Sequence, residues 1–425
     1  MANNANDMES VESFRERARA FIRKNLKPAA HRAASVMRGE VSDEVELAEV
    51  AREREVQRMF FDAGFAGVCV PQAYGGQGLT PAHQRALNAE LRGFEYPSRA
   101  QVPTFTPCLA VLLEFGTEEQ KLKHVPAILK GEELWMQFLS EPSCGSDVAG
   151  AITTAVQNGD EWILNGQKTW TTGAWWSDWG MCLARTNWDV SKHSGLTVFI
   201  FPIKSPGIEV RRIEMLNGSK EFCEEFLTDV HIPDSYRIGG IDAGWTVGSR
   251  WMFYERMGRN SPLVTMPDGT ARASTNNGVK MHAIARDAGT LEDPSAQALI
   301  GEAHCLQLVG DALRARVAQG IMTRTLSDQA SAIYRLFAGL SDARRTTIAF
   351  ELAGSAAATW TEADGECAQW GIDFLMRQAG CIGGGTTEIA ANVIAERVLG
   401  MPREATPDRE VPFREVPRSR SKAAE

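Results

Sequence analysis

The apolar residues of this chain change their spacing twice, and that change constrains the fold more than any other feature. From Val11 to about Lys130 they recur three and four positions apart, as in RERARAFIRKNL, which predicts amphipathic helices. From about Trp135 to Asp234, short β-rich runs such as GLTVFIFPI predict strands, and helical spacing then returns from Ile241 to Leu399. This order predicts an α+β chain in which a sheet domain lies between two helical domains.

The changes of spacing also suggest domain boundaries. We place three domains along the chain: an N-terminal helical domain (8–134), a middle β-domain (135–240) and a C-terminal helical domain (241–402). Residues 403–425 contain three prolines and many charges, which predicts a flexible tail. In the middle domain, Asn165-Gly166 suits a two-residue turn, so we expect a hairpin there in an antiparallel sheet or small barrel.

Composition argues against several classes of function. The chain has 45 Lys and Arg against 54 Asp and Glu, a formal net charge of −9, which disfavours binding to nucleic acid or to an anionic membrane. No apolar run approaches the roughly 18 residues that a transmembrane helix needs, and we see no secretory segment. The eight cysteines show no CxxC or Cys/His spacing, so we expect no metal site and a reduced, cytoplasmic protein.

Tryptophan is concentrated in the β-rich region. Seven of the eleven tryptophans fall between Trp135 and Trp188. A buried core or an oligomer interface is the ordinary explanation of such a cluster. The alternative is a wall for a flat heteroaromatic ring. Trp170 is the best candidate, because threonines flank it in KTWTT and could supply polar groups to an apolar pocket.

Two segments rich in small residues could approach such a ligand. In LSEPSCGSDVAG, residues 139–150, amides and hydroxyls could converge on the edge of a ring, although such loops are usually only turns. In IGGGTTEIAANVIAERVLGMP, residues 382–402, three glycines let a ligand come close to the backbone. Thr386 or Thr387 can cap the following helix, whose free N–H groups favour an anion. A helix-docking loop is the alternative, but three glycines at a cap cost chain entropy without a packing return.

Together and in order, these motifs resemble the acyl-CoA dehydrogenases over roughly residues 8–403. GFAGVCVPQAYGGQGLTP and FGTEEQKLKHVPAILKGEELW are similar to N-terminal segments of the family, LSEPSCGSDVAG followed by NGQKTWTT to its flavin-binding signature, and GGTTEIAANVIAERVLGMPRE to its C-terminal signature. The resemblance implies a helical N-terminal domain, a middle antiparallel β-domain and a C-terminal four-helix bundle. It also implies FAD-dependent oxidation of an acyl-CoA thioester to the trans-2-enoyl-CoA, as in fatty-acid β-oxidation, with electrons passed to electron-transferring flavoprotein.

By position, the resemblance assigns one set of residues to the cofactor: Leu139, Ser140, Gly145, Ser146, Trp170, Thr172, Gly354, Thr386 and Glu388. Leu139 and Ser140 would bond the pyrimidine edge of the flavin, and Thr172 would approach its N5 atom. Ser146 would also contact the pantetheine arm of the substrate. The backbone N–H of Gly384, with a ribityl hydroxyl, would polarise the thioester carbonyl.

The chain departs from the family pattern at the catalytic base. Many members carry a glutamate at the position of Gly384, which cannot accept a proton here. The isovaleryl and long-chain branches place the base on an earlier helix, at a Glu-Arg pair that matches Glu255-Arg256 in GWTVGSRWMFYERMG. On a helix Glu255 would have Trp251 and Met252 as neighbours, and desolvation there would raise its pKa as a general base requires. Arg256 would neutralise the site or contact the CoA arm, whereas a surface Glu-Arg pair is the ordinary alternative.

A second departure concerns the cofactor and the subunits. The family segment Arg-x-x-Phe-Gly, which reaches the FAD of a neighbouring subunit, is replaced by DPSAQALIGEAH, and Gln-x-x-Gly-Gly is reduced to ELAGSAAATW with Gly354 as its remnant. We expect a homodimer or homotetramer, or a heterotetramer with a related subunit that completes the site. A non-catalytic partner subunit and a flavin oxidase or monooxygenase on the same fold remain alternatives. The bare Gly384 predicts room for a branched or bulky acyl group.

Overall fold

The computed structural model describes residues 8–29, 39–258, 261–267, 278–359, 366–406 and 408–417. In these ranges the predicted succession of helical, sheet and helical regions is confirmed. The first region contains the helices α1 (Val11–Asn25), α2 (Asp43–Asp62), α3 (Pro81–Glu90), α4 (Ala110–Phe115) and α5 (Glu118–Lys130).

Local sequence explains where these helices begin and which face they bury. Ser10 and Thr117 cap α1 and α5, since each hydroxyl accepts a hydrogen bond from the backbone N–H three residues later. Phe14, Ala18 and Ile22 recur four apart on α1 and are buried. One apolar face of α1 therefore packs into the core, as its spacing predicts.

The middle region forms one eight-stranded sheet with the strand order β6-β7-β3-β2-β4-β5-β8 and with β1 beside β4. Its strands are β1 (Trp135–Phe138), β2 (Thr154–Asn158), β3 (Glu161–Thr172), β4 (Trp179–Arg185), β5 (Leu196–Pro202), β6 (Ile208–Arg212), β7 (Phe222–Pro233) and β8 (Arg237–Ile238). Most pairs are antiparallel, as predicted, but β1 runs parallel to β4. Parallel pairing needs a long connection, which residues 139–178 supply.

The hairpin predicted at Asn165-Gly166 is wrong. β3 runs through both residues, and the chain reverses earlier, at residues 159–160 between β2 and β3. Gly166 instead marks a register shift between β3 and β7, and a Cβ there would lie 2.5 Å from Thr153 Oγ1. The glycine is used for a close approach within the sheet rather than for its turn preference.

The remaining helices are α6 (Gly244–Met257), α7 (Gly278–Asp287), α8 (Pro294–Met322), α9 (Ser331–Ala353), α10 (Ser355–Ala358), α11 (Glu366–Met376), α12 (Ala379–Ile382) and α13 (Thr387–Val393). Five of them, α7, α8, α9, α10 and α11, share one apolar core that contains Met281, Ala303, Ile348, Ala357 and Trp370. None of the helices in the described ranges is both long enough and apolar enough to cross a membrane.

Part of the segment predicted to be a flexible tail packs against the sheet region. Within residues 408–417, the Phe413 side chain is buried, and its backbone N–H donates a hydrogen bond to Val190 O at 2.8 Å. Composition does not predict this contact, because it depends on the pairing of a few residues of the segment with a distant loop. Residues 418–425 of the predicted tail lie outside the described residues.

Candidate active site

A buried ion pair fastens residues 139–150, which we call the signature loop, to the sheet. Lys168 of β3 and Glu141 of the loop are both buried, and Lys168 Nζ lies 2.8 Å from Glu141 Oε1. Lys168 also donates hydrogen bonds to the backbone oxygens of Leu139 at 3.3 Å and Leu183 at 2.6 Å. One ammonium group therefore joins the beginning of the loop to two strands.

The backbone satisfies the other side of the Glu141 carboxylate. Its oxygens accept hydrogen bonds from Ile152 N at 2.7 Å and Thr153 N at 3.0 Å. Burial alone would raise the pKa of Glu141, but the Lys168 ammonium and the Ile152 amide hold that pKa below its ordinary value. Both members of the pair keep their charges, and the first part of the loop is held by charged hydrogen bonds on both sides.

The tip of the signature loop is exposed, whereas its first residues lie against β3. Ser140 O accepts a hydrogen bond from Thr169 N at 3.0 Å, which brings Leu139 and Ser140 beside the strand that carries Trp170. Gly145 and Ser146 are exposed at the tip, and a Cβ on Gly145 would meet open space. The tip can therefore be approached by a ligand from outside.

Trp170 differs from the other tryptophans in this region. Its backbone has a φ of +65°, which a bulky side chain rarely adopts, and it lies at the register shift between Thr169 and Thr171. The indole is 54% exposed and meets Phe222 edge to face, with ring centroids 5.7 Å apart. Strained residues of this kind concentrate at functional sites, where the surrounding structure holds them in place.

The residues beside Trp170 show how the bulge orients the side chains at this end of β3. Thr171 points inward, where its hydroxyl donates to the buried Glu225 carboxyl at 2.9 Å, and burial raises the pKa of Glu225 to about 8. Thr172 is half-buried at the end of β3. The bulge therefore presents the indole outward next to Thr172 while the strand keeps its core contacts.

Most of the other tryptophans support the core explanation. Four are buried within the protein: Trp135, Trp162, Trp176 and Trp179. Trp135 and Trp179 stack on one another with their ring centroids 5.6 Å apart. The concentration of tryptophan in the sequence is thus mainly a packing feature, and Trp170 is its exception.

Glu255 lies at the end of α6 and faces β1 of the sheet. The Trp251 indole N–H donates to Gln137 Oε1 at 2.7 Å, and because an indole can only donate, this contact fixes which end of the amide faces α6. The NH₂ group of Gln137 is left on the side of the partly buried Glu255 carboxyl, whose ionised form it favours. Burial raises the pKa of Glu255, while the Gln137 hydrogen bond and the Arg256 charge partly oppose this shift.

Two further contacts define the surroundings of Glu255. Its negative charge adds to burial in raising the pKa of the Cys108 thiol, so the carboxyl lies near the segment that precedes α4. Arg256 is exposed, and its Nε donates to Met252 O at 3.0 Å. The carboxyl of Glu255 therefore faces the protein while its neighbour faces solvent.

An arginine that the sequence analysis missed holds the loop of three glycines. Arg335 of α9 donates hydrogen bonds to the backbone oxygens of Gly380 at 2.8 Å, Gly383 at 3.0 Å and Gly385 at 2.7 Å. Gly384 has a φ of +74°, and a Cβ there would meet open space. Because the C=O and N–H of one trans peptide point in opposite directions, the N–H of Gly384 points away from Arg335.

The other predicted cofactor residues of the C-terminal region lie at the end of α9 or at the start of α13. Thr386 caps α13 by accepting a hydrogen bond from Ile389 N at 3.1 Å, and Glu388 is exposed in the first turn. Gly354 ends α9 with a φ of +60° and is exposed. The predicted residues therefore fall into two groups: Gly354 and the loop around Gly384, which are joined to α9, and Glu255 of α6 with its neighbour Gln137.

Two domain models of one family match the chain. The acyl-CoA dehydrogenase N-terminal domain matches residues 8–132, and the acyl-CoA dehydrogenase middle domain matches residues 137–230. Acyl-CoA dehydrogenase IpdE1 of Mycobacterium tuberculosis is 32% identical over 400 residues, which is 94% of this chain and 100% of that protein. Acyl-CoA dehydrogenase FadE34 of the same organism is 33% identical over 360 residues, which is 84% of this chain but 48% of that protein.

Solved structures show the same fold. The Tcur3481-Tcur3483 steroid ACAD superposes with a TM-score of 0.70 at 24% identity, over 93% of this chain and 99% of that one. The ChsE4-ChsE5 complex from Mycobacterium tuberculosis gives a TM-score of 0.68 at 22% identity, over 95% and 100% of the two chains. The fold is that of a three-part α+β oxidoreductase. More specifically, the chain belongs to the acyl-CoA dehydrogenase family.

The strain at Trp170 can be measured directly. Replacing Trp170 by glycine should raise the free energy of unfolding by about 1 kcal/mol, because glycine adopts the left-handed backbone without cost and the exposed indole loses little packing. Urea denaturation of the ligand-free chain measures the change. Trp162→Gly is the matched control, since it removes a buried indole from the same strand and should lower stability by about 3 kcal/mol or more. A destabilised Trp170→Gly variant would show that packing, not function, fixes this residue.

Proposed function

We propose that this chain catalyses the FAD-dependent α,β-dehydrogenation of an acyl-CoA thioester, with Glu255 as the base. One observation carries the assignment: Gln137, two residues before Leu139 at the start of the signature loop, accepts the indole N–H of Trp251 on α6 at 2.7 Å and lies beside the Glu255 carboxyl of the same helix. A carboxylate there whose pKa is raised by burial suits the removal of a proton next to a carbonyl. It would replace the glutamate that many family members carry at the position of Gly384.

The acyl chain would lie between the two groups of site residues. Glu255 would remove the α-proton from the side of α6, while the Gly384 N–H would donate to the thioester oxygen and stabilise the charge that develops there. Arg335 supports this role, since it holds the peptide that contains this N–H and directs it away from α9. Open space beside Gly384 leaves room for the substrate.

The residues around Trp170 suit a flat cofactor. The exposed indole of Trp170 offers an aromatic surface. Thr172 lies next to it in the chain, and Ser140 is hydrogen-bonded to the same strand, so only a few polar groups border this surface. Leu139 and Ser140 would bind the pyrimidine edge of the flavin, and Thr386 and Glu388 would lie near its dinucleotide part. These residues would hold FAD, whose chemistry when bound would be acceptance of the β-hydride and delivery of the electrons to electron-transferring flavoprotein.

A second subunit would cover the C-terminal helices. Large apolar side chains are exposed on or next to several of these helices: Leu308, Val309, Leu340, Ile382 and Leu399. Where exposed apolar side chains form a contiguous patch, they mark a protein interface. We therefore propose a homo-oligomer or a heterotetramer with a related chain, in which the partner completes the FAD site that Gly354 borders.

The substrate would be branched or bulky. Gly384 has no side chain, and an added Cβ would point into open space rather than into the protein. The volume that a glutamate would occupy in other members is thus free for substituents near the reacting carbons. The open space therefore favours a size class of acyl group.

Removing the base tests the function. Glu255→Gln should slow the anaerobic bleaching of the flavin by acyl-CoA at least about 100-fold, since the amide cannot accept a proton, while the flavin absorbance of the purified protein stays unchanged. Glu114→Gln, which removes a carboxylate that contacts Arg250 of α6, is the control and should leave the rate unchanged. An unchanged rate in Glu255→Gln would refute the base, and a wild-type protein that no acyl-CoA bleaches would indicate a non-catalytic subunit.

Gln137 should set the pH dependence of the reaction. The base must be ionised, so the rate rises with pH through the pKa of Glu255, and the Gln137 donor favours the ionised form. In Gln137→Leu the pKa of Glu255 should rise further, and the ascending limb of the pH–rate profile should move to higher pH. Gln167→Leu is the control, because it also removes a glutamine next to a glutamate, but one other than Glu255. Gln167 of β3 donates through Nε2 to Glu224 of β7 at 3.2 Å. A Gln137→Leu profile that coincides with wild type would contradict this role.

Substrate size can be tested with straight, α-methyl and ring-bearing acyl-CoAs. Wild type should turn over the branched or ring-bearing compounds, and Gly384→Ala should lower kcat/KM for them more than for straight chains, because the methyl group enters the acyl site. Gly400→Ala controls for backbone strain, since Gly400 also has a positive φ, +69°, and open space around it. If wild type accepts only short straight chains, the proposed preference for branched or bulky acyl groups is wrong.

A further inference from the structure

The segment 408–417, which we call the C-terminal clip, is bound to the loop between β4 and β5. Phe413 is 2% exposed and stacks on Trp188, with ring centroids 5.4 Å apart. The backbone N–H groups of Phe413 and Arg414 donate to Val190 O at 2.8 Å and to Trp188 O at 3.0 Å. Arg414 also forms an ion pair with Asp189. The clip is therefore joined to this loop by ring stacking, backbone hydrogen bonds and charge.

Beneath the clip lies a fully buried arginine at the end of β4. The guanidinium carbon of Arg185 lies 4.0 Å from the centroid of the Phe413 ring. A guanidinium is charged at every relevant pH, so its burial requires hydrogen-bond acceptors and a favourable surface above it. An aromatic face supplies such a surface, and its attraction for a cation grows when water is excluded.

The hydrogen bonds of Arg185 reach the end of the signature loop. Its guanidinium donates to Ala149 O at 2.6 Å and to Ala151 O at 3.2 Å, and it also donates to Lys192 O at 2.7 Å. Lys192 in turn contacts Asp147 of the signature loop, with Nζ 2.9 Å from a carboxylate oxygen. The Glu141–Lys168 pair fixes the beginning of the loop, and Arg185 fixes its end.

We propose that the C-terminal clip is a working part of the active site, in which Phe413 is a positioning residue that acts through Arg185 on the signature loop. With the ring in place, water is kept from the guanidinium, which then binds the carbonyls of Ala149 and Ala151. Without the ring, water competes for those hydrogen bonds and the end of the loop loosens. The kinetic part of this inference rests on the proposed function, because the loop would contact the acyl-CoA through Ser146.

Hydrogen–deuterium exchange tests the mechanical part without any assumption about activity. In Phe413→Ala, the amides of residues 148–153 and 188–195 should exchange about tenfold faster, the factor expected when a desolvated cation–π contact is lost. Amides in α1, far along the chain, should keep their wild-type rates. A chain that ends at Thr406 should behave like Phe413→Ala, and Phe413→Tyr, which keeps the ring, should return exchange to within about twofold of wild type.

Kinetics then show whether the loop matters to the substrate. Phe413→Ala should raise the KM for acyl-CoA about tenfold and change kcat less than about twofold, because positioning of a binding loop is lost and the base is untouched. Phe226→Ala is the matched control. It removes the ring of another arginine–phenylalanine contact, in which the guanidinium carbon of Arg211 on β6 lies 4.5 Å from the ring centroid of Phe226 on β7. This variant should change neither the exchange of the two segments nor the KM.

Each outcome decides the inference. Unchanged exchange in residues 148–153, or an increase of the same factor in α1, would overturn it, since the clip would then contribute only to general stability. Local loosening with an unchanged KM would also overturn it, because the loop would move without consequence for substrate binding. If wild type fails to react with any acyl-CoA, the proposed function fails, whereas the exchange result still decides whether the clip positions the loop.

Discussion

The geometry of the site depends on a charge pair that is completely removed from water. Lys168 and Glu141 could not both remain ionised in the interior without the hydrogen bonds that surround them, and those bonds come from the strands and loop that the pair must join. The cost of burying two charges is thus offset only when the signature loop lies against β3. The same strand carries Trp170, so one electrostatic requirement brings the loop and the indole together.

In the other parts of the site, too, a polar side chain of one element holds a different element in place. Gln137 accepts a hydrogen bond from Trp251 of α6, whereas Arg335 and Arg185 donate to backbone oxygens of other elements. Helix α6, the loop of three glycines and the end of the signature loop are thus all held from outside. Loops rich in glycine and serine have little packing of their own. Their conformations are therefore set by long polar side chains from more regular elements, and the flexible sequence is given a fixed shape.

Sequence reasoning predicts the fold because the period of apolar residues and the order of motifs do not depend on distant contacts. It also predicts a cap at Thr386 or Thr387, and Thr386 supplies it, which is a local matter of one hydroxyl before a helix. It fails at Gly166, where packing against Thr153 outweighs turn preference. The parts played by Gln137 and Arg335 could not be read from the sequence, since they depend on which atom of a distant residue each side chain meets.

Arg335 recognises the glycine loop through backbone oxygens, which every amino acid possesses. The anchoring of the loop is consequently indifferent to the side chain at position 384. A descendant of this protein could acquire a carboxylate there for little more than the strain of a left-handed residue, about 1 to 2 kcal/mol. The backbone anchoring by Arg335 is thus compatible with either a glycine or a carboxylate at this position.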